Sequence, residues 1–310
     1  MRIPPRRILL TGADGFVGRA IARELRARGH RVFGTTYLEE PGPDEGRVDL
    51  TREEEPAKLP EGPFDAVIHN AGLVRQDMPR LAYFAVNTEG TRRILEWERA
   101  HGIPHHIQIS SIGVYGLRAM GEDRREDRTP RQRWFGVAYQ RSKAAAERVI
   151  ERSGVPYTLL RLPMIVGPGD TMVAPVLGRA LLDGTFFRSG SGDSEVSVIC
   201  VANLPDILEA VIAKGPTCDA YNCSDHSMRW SELVGAYAAA LGVGVPRRRR
   251  SIAWIPLKMA DKGFLYLATN ARFGAHFPNE KLRRTFGWSP RVDWRDAVRA
   301  SAEGVRGERG

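Results

Sequence analysis

The stretch "ILLTGADGFVGRAI" (8 to 21) constrains this chain more than any other. Residues 6 to 11 form a short, nearly continuous apolar run and 16 to 28 carry a helical pattern, so Gly12, Gly15 and Gly18 fall between a first strand and a first helix. Glycines in that place permit a tight turn, close approach of the backbone to a pyrophosphate, and close packing of helix on strand. The helix N-terminus adds free N–H groups and the positive end of its dipole. The spacing is G-x-x-G-x-x-G, not the G-x-G-x-x-G of the best-known dinucleotide turn, but the strand-to-helix context is the one such a turn requires.

The alternation continues. Strands are expected at "RVFGTT" (31 to 36), "DAVIHN" (65 to 70), "HHIQIS" (105 to 110) and "YTLLRL" (157 to 162), with helices near 80 to 100 and 136 to 152 between them. This βαβ order predicts an α/β fold, a Rossmann-type doubly wound parallel sheet over residues 1–166. Beyond "VGPGDT" the pattern loosens, with a strand at 196 to 201 and helices near 203 to 214, 230 to 241, 278 to 286 and 293 to 303. Residues 167–310 therefore read mainly as a smaller C-terminal substrate lobe, with 196–223 returning to the Rossmann part. The apolar stretch "SIAWIPLKMADKGFLYLA" (251 to 268) reads as a packing helix or lid, because Pro256 interrupts it and Asp261 breaks its basic face.

Composition removes several classes. No stretch approaches the roughly 18 uninterrupted apolar residues of a membrane span, and "MRIPPRRILL" is too short in its apolar run for a secretory signal, so a cytoplasmic enzyme without a membrane span is expected. Cys200, Cys218 and Cys223 lack metal-ligand spacing and read as reduced thiols, and no metal is expected. The net charge of +9 and the run "RRRR" (247 to 250) raise the question of nucleic acid. With no aromatic interleaving at that run, and only six lysines among 46 basic residues, the charge reads as compositional habit and no nucleic-acid partner is expected.

Near the start of an alanine-rich helical stretch stands "YQRSK" (139 to 143). Tyr139 and Lys143 are four apart and share a helix face, where an ammonium would favour the phenolate of a group that ordinarily ionises near pH 10. Such a tyrosine is a usable acid or base near neutral pH.

Taken in order, these motifs resemble the extended short-chain dehydrogenase/reductase family, also called the NAD-dependent epimerase/dehydratase family, over nearly the whole chain. The glycine turn is similar to its T-G-x-x-G-F-x-G, "VNTEGTRRIL" (86 to 95) to its N-V-x-G-T helix, "SSIGVYG" (110 to 116) to its S-S-x-x-V-Y-G, and "LLRLPMIVGPGD" (159 to 170) to its L-R-P-x-x-V-Y-G-P-G-D. The resemblance implies a catalytic Tyr139 that exchanges a proton with the substrate oxygen and a Lys143 that lowers its pKa and holds the nicotinamide ribose. It also implies a Ser111 that hydrogen-bonds the same oxygen, and a functional or bracing role for Asn87. Cofactor contacts implied in the same way are Gly12, Gly15, Phe16, Val17, Gly18, Thr36, Asp49 on the adenine amino group, Leu50, Ala71, Gly72, Tyr139, Lys143, Pro163 and Ile165. A homodimer is implied as well.

The family spans several reactions, and departures from its patterns narrow them. Sugar-nucleotide members usually carry an asparagine where this chain has Met164, and an arginine near the place of Val196. Asn203 instead resembles the asparagine of 3β-hydroxysteroid dehydrogenase-like members. Dehydratases place Asp-Glu directly after the active hydroxyl, where this chain has Ile112 and Gly113. The expected function is therefore NAD(P)-dependent interconversion of an alcohol and a carbonyl on a small, fairly apolar substrate. The alternatives are a nucleotide-sugar epimerase, dehydratase or reductase, and a non-catalytic cofactor-binding regulatory protein. NADP(H) is modestly favoured over NAD(H), because the position where NAD-preferring members have an acid is the neutral Thr36, followed by Tyr37. Between Gly116 and Tyr139 the chain carries Arg118, Arg124, Arg125, Arg128, Arg131 and Arg133 among Glu122, Asp123, Glu126 and Asp127. This is either a salt-bridged surface loop or a substrate border in which Arg131 or Arg133 holds an anionic handle while Trp134, Phe135 and Met164 face an apolar body.

Overall fold

A computed structural model describes residues 3–75, 78–116, 124–126, 138–188, 191–249, 274 and 276–307. The apolar stretch 251 to 268, Arg118, Arg128, Arg131, Arg133, Trp134 and Phe135 lie outside the described residues.

The five strands expected in the first half join two others in one seven-stranded parallel sheet. In chain order its members are β1 (Arg7–Thr11), β2 (Arg31–Thr36), β3 (Glu45–Arg47), β4 (Ala66–His69), β5 (His106–Ser111), β6 (Tyr157–Leu162) and, after two strands that leave it, β9 (Asp219–Asn222). Their spatial order is β3-β2-β1-β4-β5-β6-β9, so the chain winds outward from β1 in one direction, then crosses to β4 and winds in the other. Alternation within β1 explains the layering. Ile8 and Leu10 pack on one side with Ile21 and Leu25 of α1 (Phe16–Ala27) and with Ile207, Leu208 and Val211 of α6 (Leu204–Lys214). Leu9 points the other way, among Val67, Ile94 and Trp97. Successive strand residues face opposite sides, so an uninterrupted apolar strand needs helices on both faces. Each such fully buried aliphatic side chain contributes about 1.5–3 kcal/mol relative to exposure.

The helical segment expected at 80 to 100 is continuous but not uniform. It runs as α2 (Arg80–Phe84), a π-helical turn over Ala85–Glu89, and α3 (Gly90–Ala100). The widened turn carries Asn87 and Thr88 inward against α4 (Ala138–Glu151). Such turns recur at functional sites because they re-aim side chains without ending the helix.

The chain leaves the large sheet at Pro163, which has no N–H to give to a ladder. It continues as β7 (Met164–Val166), which joins β8 (Glu195–Cys200) and β10 (His226–Arg229) in a three-stranded sheet of order β10-β8-β7. Thus α6 and β9 return to the large sheet, whereas β8, included in the expected return at 196–223, lies in the small one. A second core gathers on this sheet from α5 (Arg179–Leu182), α7 (Trp230–Leu241) and the last helix, Trp294–Gly307. Met164 is 4% exposed and belongs to that core, paired across to Val198, so the expectation that it faces a substrate is corrected. Asn203 is also fully buried, its amide bonded to Asp225 and to the backbone of Arg291 and Val292. Among the described residues no helix is long and apolar enough to cross a membrane, and no group of three His, Cys, Asp or Glu is placed to hold a metal ion.

Candidate active site

The glycine turn is shaped by close approaches. Gly12 has φ +67°, and a methyl group on its α-carbon would lie 2.8 Å from the Ala71 α-carbon. The same addition at Gly18 would come 2.0 Å from the Gly12 carbonyl oxygen, so both glycines are required by the protein itself. Gly15 differs: a methyl there would meet only the Gly12 oxygen at an ordinary 3.6 Å. The room left at Gly15 lies at the start of α1, which has no side-chain cap and no acid in its first turn. Uncapped N–H groups beside open backbone are what a pyrophosphate requires. Phe16 and Val17 follow, half-buried, and Phe16 lies against Gly169, beyond Pro163 and the strand that holds Ile165.

The adenosine side is assembled by β2 and the segment after β3. Val48 N–H donates to Thr36 O at 3.1 Å, which brings Asp49 and Leu50 beside the end of β2. The Asp49 carboxylate accepts from both the N–H and the hydroxyl of Thr51, which fixes its turn. Thr36 is 2% exposed, and its buried hydroxyl has no hydrogen-bond partner. An orphaned hydroxyl at the place where the motif order expects a ribose fits a dinucleotide. The sequence reading missed three residues here. Asp14 Oδ2 accepts from the N–H groups of Tyr37, Leu38 and Glu39 at 2.8, 2.6 and 3.3 Å, while Arg19 pairs with Glu39 and Arg47 donates to Tyr37 O and pairs with Glu40. Only the pairing of β2 with β3 brings Arg47 there, so no local pattern announces it.

The chemical end lies across β4 and β5. Ser111 closes β5 and caps the tight turn that follows, its Oγ accepting the Gly113 N–H at 3.1 Å. The Tyr139 phenol lies beside that hydroxyl. Burial raises the Tyr139 phenol above its ordinary value, with the Ser111 hydrogen bond pulling the other way. Lys143 is 5% exposed, donates to Ile109 O at 3.0 Å, and its Nζ lies 3.0 Å from where a methyl on Gly72 would sit. Burial lowers its ammonium to about 8, opposed by the charge of Glu147 one turn on. The Lys143 ammonium is held on the Ile109 carbonyl, and burial is the largest influence on the phenol.

Asn87 is enclosed. Its Oδ1 accepts Leu73 N–H at 2.7 Å, and its Nδ2 donates to Leu73 O at 3.1 Å and to Ser142 Oγ at 2.9 Å, which in turn donates to Tyr139 O. The amide thus joins the end of β4 to the catalytic turn of α4. Behind it, Thr91 donates to Asn87 O, so the proton shared by Thr91 and His69 must sit on His69 Nε2, leaving Nδ1 to accept from Thr11. Burial holds His69 well below its ordinary pKa, consistent with this neutral tautomer. Ser110 turns away from the site and donates to Glu147.

The same order of motifs is a family property. Residues 8–224 match the model of the NAD dependent epimerase/dehydratase family. The chain belongs to that family. It is accordingly a nicotinamide-dinucleotide enzyme of the extended short-chain dehydrogenase/reductase kind. Among its relatives, the "2-alkyl-3-oxoalkanoate reductase" of Stenotrophomonas maltophilia (strain K279a) is 28% identical, over 94% of this chain and 97% of that one. The "3-diazoavenalumate denitrifying reductase" of a Streptomyces species is 28% identical, over 94% and 99%. In fold, the chain superposes on the dTDP-glucose 4,6-dehydratase DesIV of Streptomyces venezuelae with NAD and DAU bound, at a TM-score of 0.78, 21% identity and 98% coverage of both chains. It also superposes on RMD of Pseudomonas aeruginosa complexed with NADPH, at 0.72, 21% identity and 96% and 98% coverage. Family membership assigns a nicotinamide cofactor; which of the two it takes is argued below.

Proposed function

We propose that this enzyme reduces a carbonyl to an alcohol on a fairly apolar substrate, with Ser111, Tyr139 and Lys143 as its catalytic group. The observation that carries the reading is that Ser111, at the end of β5, and Tyr139 and Lys143, one turn apart on α4, come together beside Gly72 around a phenol that burial keeps protonated. A protonated phenol is ready to donate, which is what an oxygen gaining a hydride on its carbon requires. Bound reduced nicotinamide supplies that hydride. Ser111 and Tyr139 share the substrate oxygen, Tyr139 gives its proton as charge develops there, and Asn87 is a positioning residue that holds the Tyr139 turn through Ser142. Lys143 adds positive charge beside Gly72, at the expected nicotinamide end of the cofactor. The absence of Asp-Glu after Ser111 and the end-to-end match to two proteins named reductases support redox chemistry over dehydration or epimerisation. The test is stoichiometry with a 2-alkyl-3-oxoalkanoate. One reduced cofactor oxidised per alcohol formed supports the reading; sugar-nucleotide epimerisation without net cofactor consumption would replace it.

For the cofactor, the modest NADP(H) preference expected from Thr36 gains a specific support. Arg19 and Arg47 converge on the turn after Thr36, with side chains 55% and 54% exposed in pairs with Glu39 and Glu40. Exposed ion pairs contribute only about 0–1 kcal/mol, so both guanidinium groups can turn to a 2′-phosphate at small cost. Asp14 opposes them and keeps the preference modest. Arg47→Ala should weaken NADPH about tenfold while leaving NADH within about twofold, as read by titration calorimetry. Equal losses for the two cofactors would remove Arg47 from the phosphate site. A homodimer in the cytoplasm completes this reading.

A further inference from the structure

His69 closes β4 between the glycine turn and the helix that carries the phenol, and its ring is fully buried. Its Nδ1 accepts the hydroxyl of Thr11, the residue directly before Gly12, at 2.7 Å, and its Nε2–H donates to Thr91 Oγ1 at 3.1 Å. Thr91 gives its own proton to Asn87 O at 2.8 Å. Asn87 Nδ2 then donates to Ser142 Oγ at 2.9 Å, and Ser142 to Tyr139 O at 2.7 Å. The two carbonyls can only accept, so they force one direction on the whole run: each hydroxyl, ring or amide from Thr11 to Ser142 donates to the next. Thr11, His69, Thr91, Asn87 and Ser142 are 0, 0, 1, 1 and 0% exposed, so water cannot replace a lost bond among them.

Both ends of the run stand on the candidate site. At one end Thr11 Oγ1 also accepts at 3.0 Å the N–H of Ala71, the residue against which Gly12 packs. In the middle, Asn87 holds Leu73 by its N–H and its carbonyl, next to Gly72 and the Lys143 ammonium. At the other end the Tyr139 carbonyl belongs to the turn of α4 that carries the phenol. A neutral imidazole suits the central place because it has one acceptor and one donor, the two that Thr11 and Thr91 require. An imidazolium would aim a second N–H at Thr11 and reverse that bond; burial first, and then the charges of His106 and Lys143, oppose it.

We propose that His69 is a positioning residue for Tyr139: its ring ties the end of β1 to Thr91 and, through Asn87 and Ser142, sets where the phenol's turn stands against the strand ends expected to carry the cofactor. The proposal rests on the reductase reading for its kinetic arm, but not for its structural one. In the full-length enzyme with NADPH and a 2-alkyl-3-oxoalkanoate, His69→Phe keeps a ring but neither bond, and should lower kcat about tenfold with KM within about twofold. His69→Gln keeps one acceptor and one donor and should restore kcat to within about threefold. Asn87→Ala breaks the same run, so adding His69→Phe to it should cost less than about a further twofold in kcat. Thr91→Val breaks the next link, and carries the same cycle with Asn87→Ala should His69→Phe not fold. Hydrogen–deuterium exchange of the backbone amides at 139 to 143, with NADPH present, should quicken in His69→Phe and in Asn87→Ala and stay near wild type in His69→Gln. An unchanged kcat in His69→Phe overturns the proposal, as does a loss that His69→Gln repeats or that adds in full to the loss in Asn87→Ala. Should the wild type not turn over this substrate, the reductase reading fails on its own, and the exchange comparison decides whether His69 holds the Tyr139 turn: exchange equal to wild type in His69→Phe overturns it.

Discussion

Replacing Tyr139 by Phe should lower kcat by about 10²–10⁴-fold while leaving cofactor Kd within about twofold. The phenol hydroxyl lies beside Ser111, whereas the backbone carbonyl of the same residue accepts the Ser142 hydroxyl, so removal of one oxygen leaves the turn in place. Ser111 keeps the Gly113 N–H and can still bond a substrate oxygen, but nothing nearby replaces the lost proton. KM should therefore change little, the pattern of an interaction made in the transition state. Rates within about threefold of wild type in Tyr139→Phe would remove the phenol from the chemistry.

Lys143→Met should damage both cofactor affinity and turnover, and the direction of its stability effect separates it from a folding defect. The folded-state pKa of Lys143 is pushed down to about 8 by burial, so the folded protein holds this proton less tightly than the unfolded chain does. By linkage the burial penalty is full below about pH 8 and is relieved as pH rises from there toward the ordinary lysine value. Methionine, of similar length and uncharged, removes that penalty. The Ile109 carbonyl keeps the Gln108 amide as a donor, so no acceptor is stranded. The variant should melt no lower than wild type at pH 7, yet bind cofactor at least about tenfold more weakly. In the wild type kcat/KM should fall as pH rises through about 8, when the ammonium discharges, and in Lys143→Met that limb should vanish. A variant that binds cofactor normally, or a limb that survives, would mean that the charge at Lys143 is not used.

Much of the fold was legible because its strands are buried on both faces. Every long strand of the large sheet is buried along most of its length, and each was expected within a residue or so of its place. The strands missed, β3, β7, β9 and β10, are short ones of three or four residues. β3 is only Glu45–Arg47 and has no apolar pattern, while β7 exists because Pro163 diverts the chain into a second sheet. Met164 was misplaced for that reason: its place in the motif does not reveal the switch of sheets that turns its side chain into a core. Gly12, Gly18, Ser111, Tyr139 and Lys143 were visible because turns and one-turn helix spacing are local. Asp14, Arg19 and Arg47, the enclosed amide of Asn87, and the run from Thr11 to Tyr139 depend on pairings between residues far apart in sequence, and no periodicity encodes those. Helix spacing likewise gives Tyr139 and Lys143 a shared face but not the carbonyl of Ile109 that takes the ammonium.

The central claim is that hydride and proton meet on one substrate carbonyl, at Ser111 and Tyr139. Nicotinamide cofactor deuterated at its transferable position, incubated with a 2-alkyl-3-oxoalkanoate and followed by mass spectrometry, tests it most directly. The account predicts one deuterium on the carbinol carbon of the product, one cofactor oxidised for each, and neither event in Tyr139→Phe. Deuterium that returns to the cofactor without net oxidation, while a sugar nucleotide changes configuration, would contradict it.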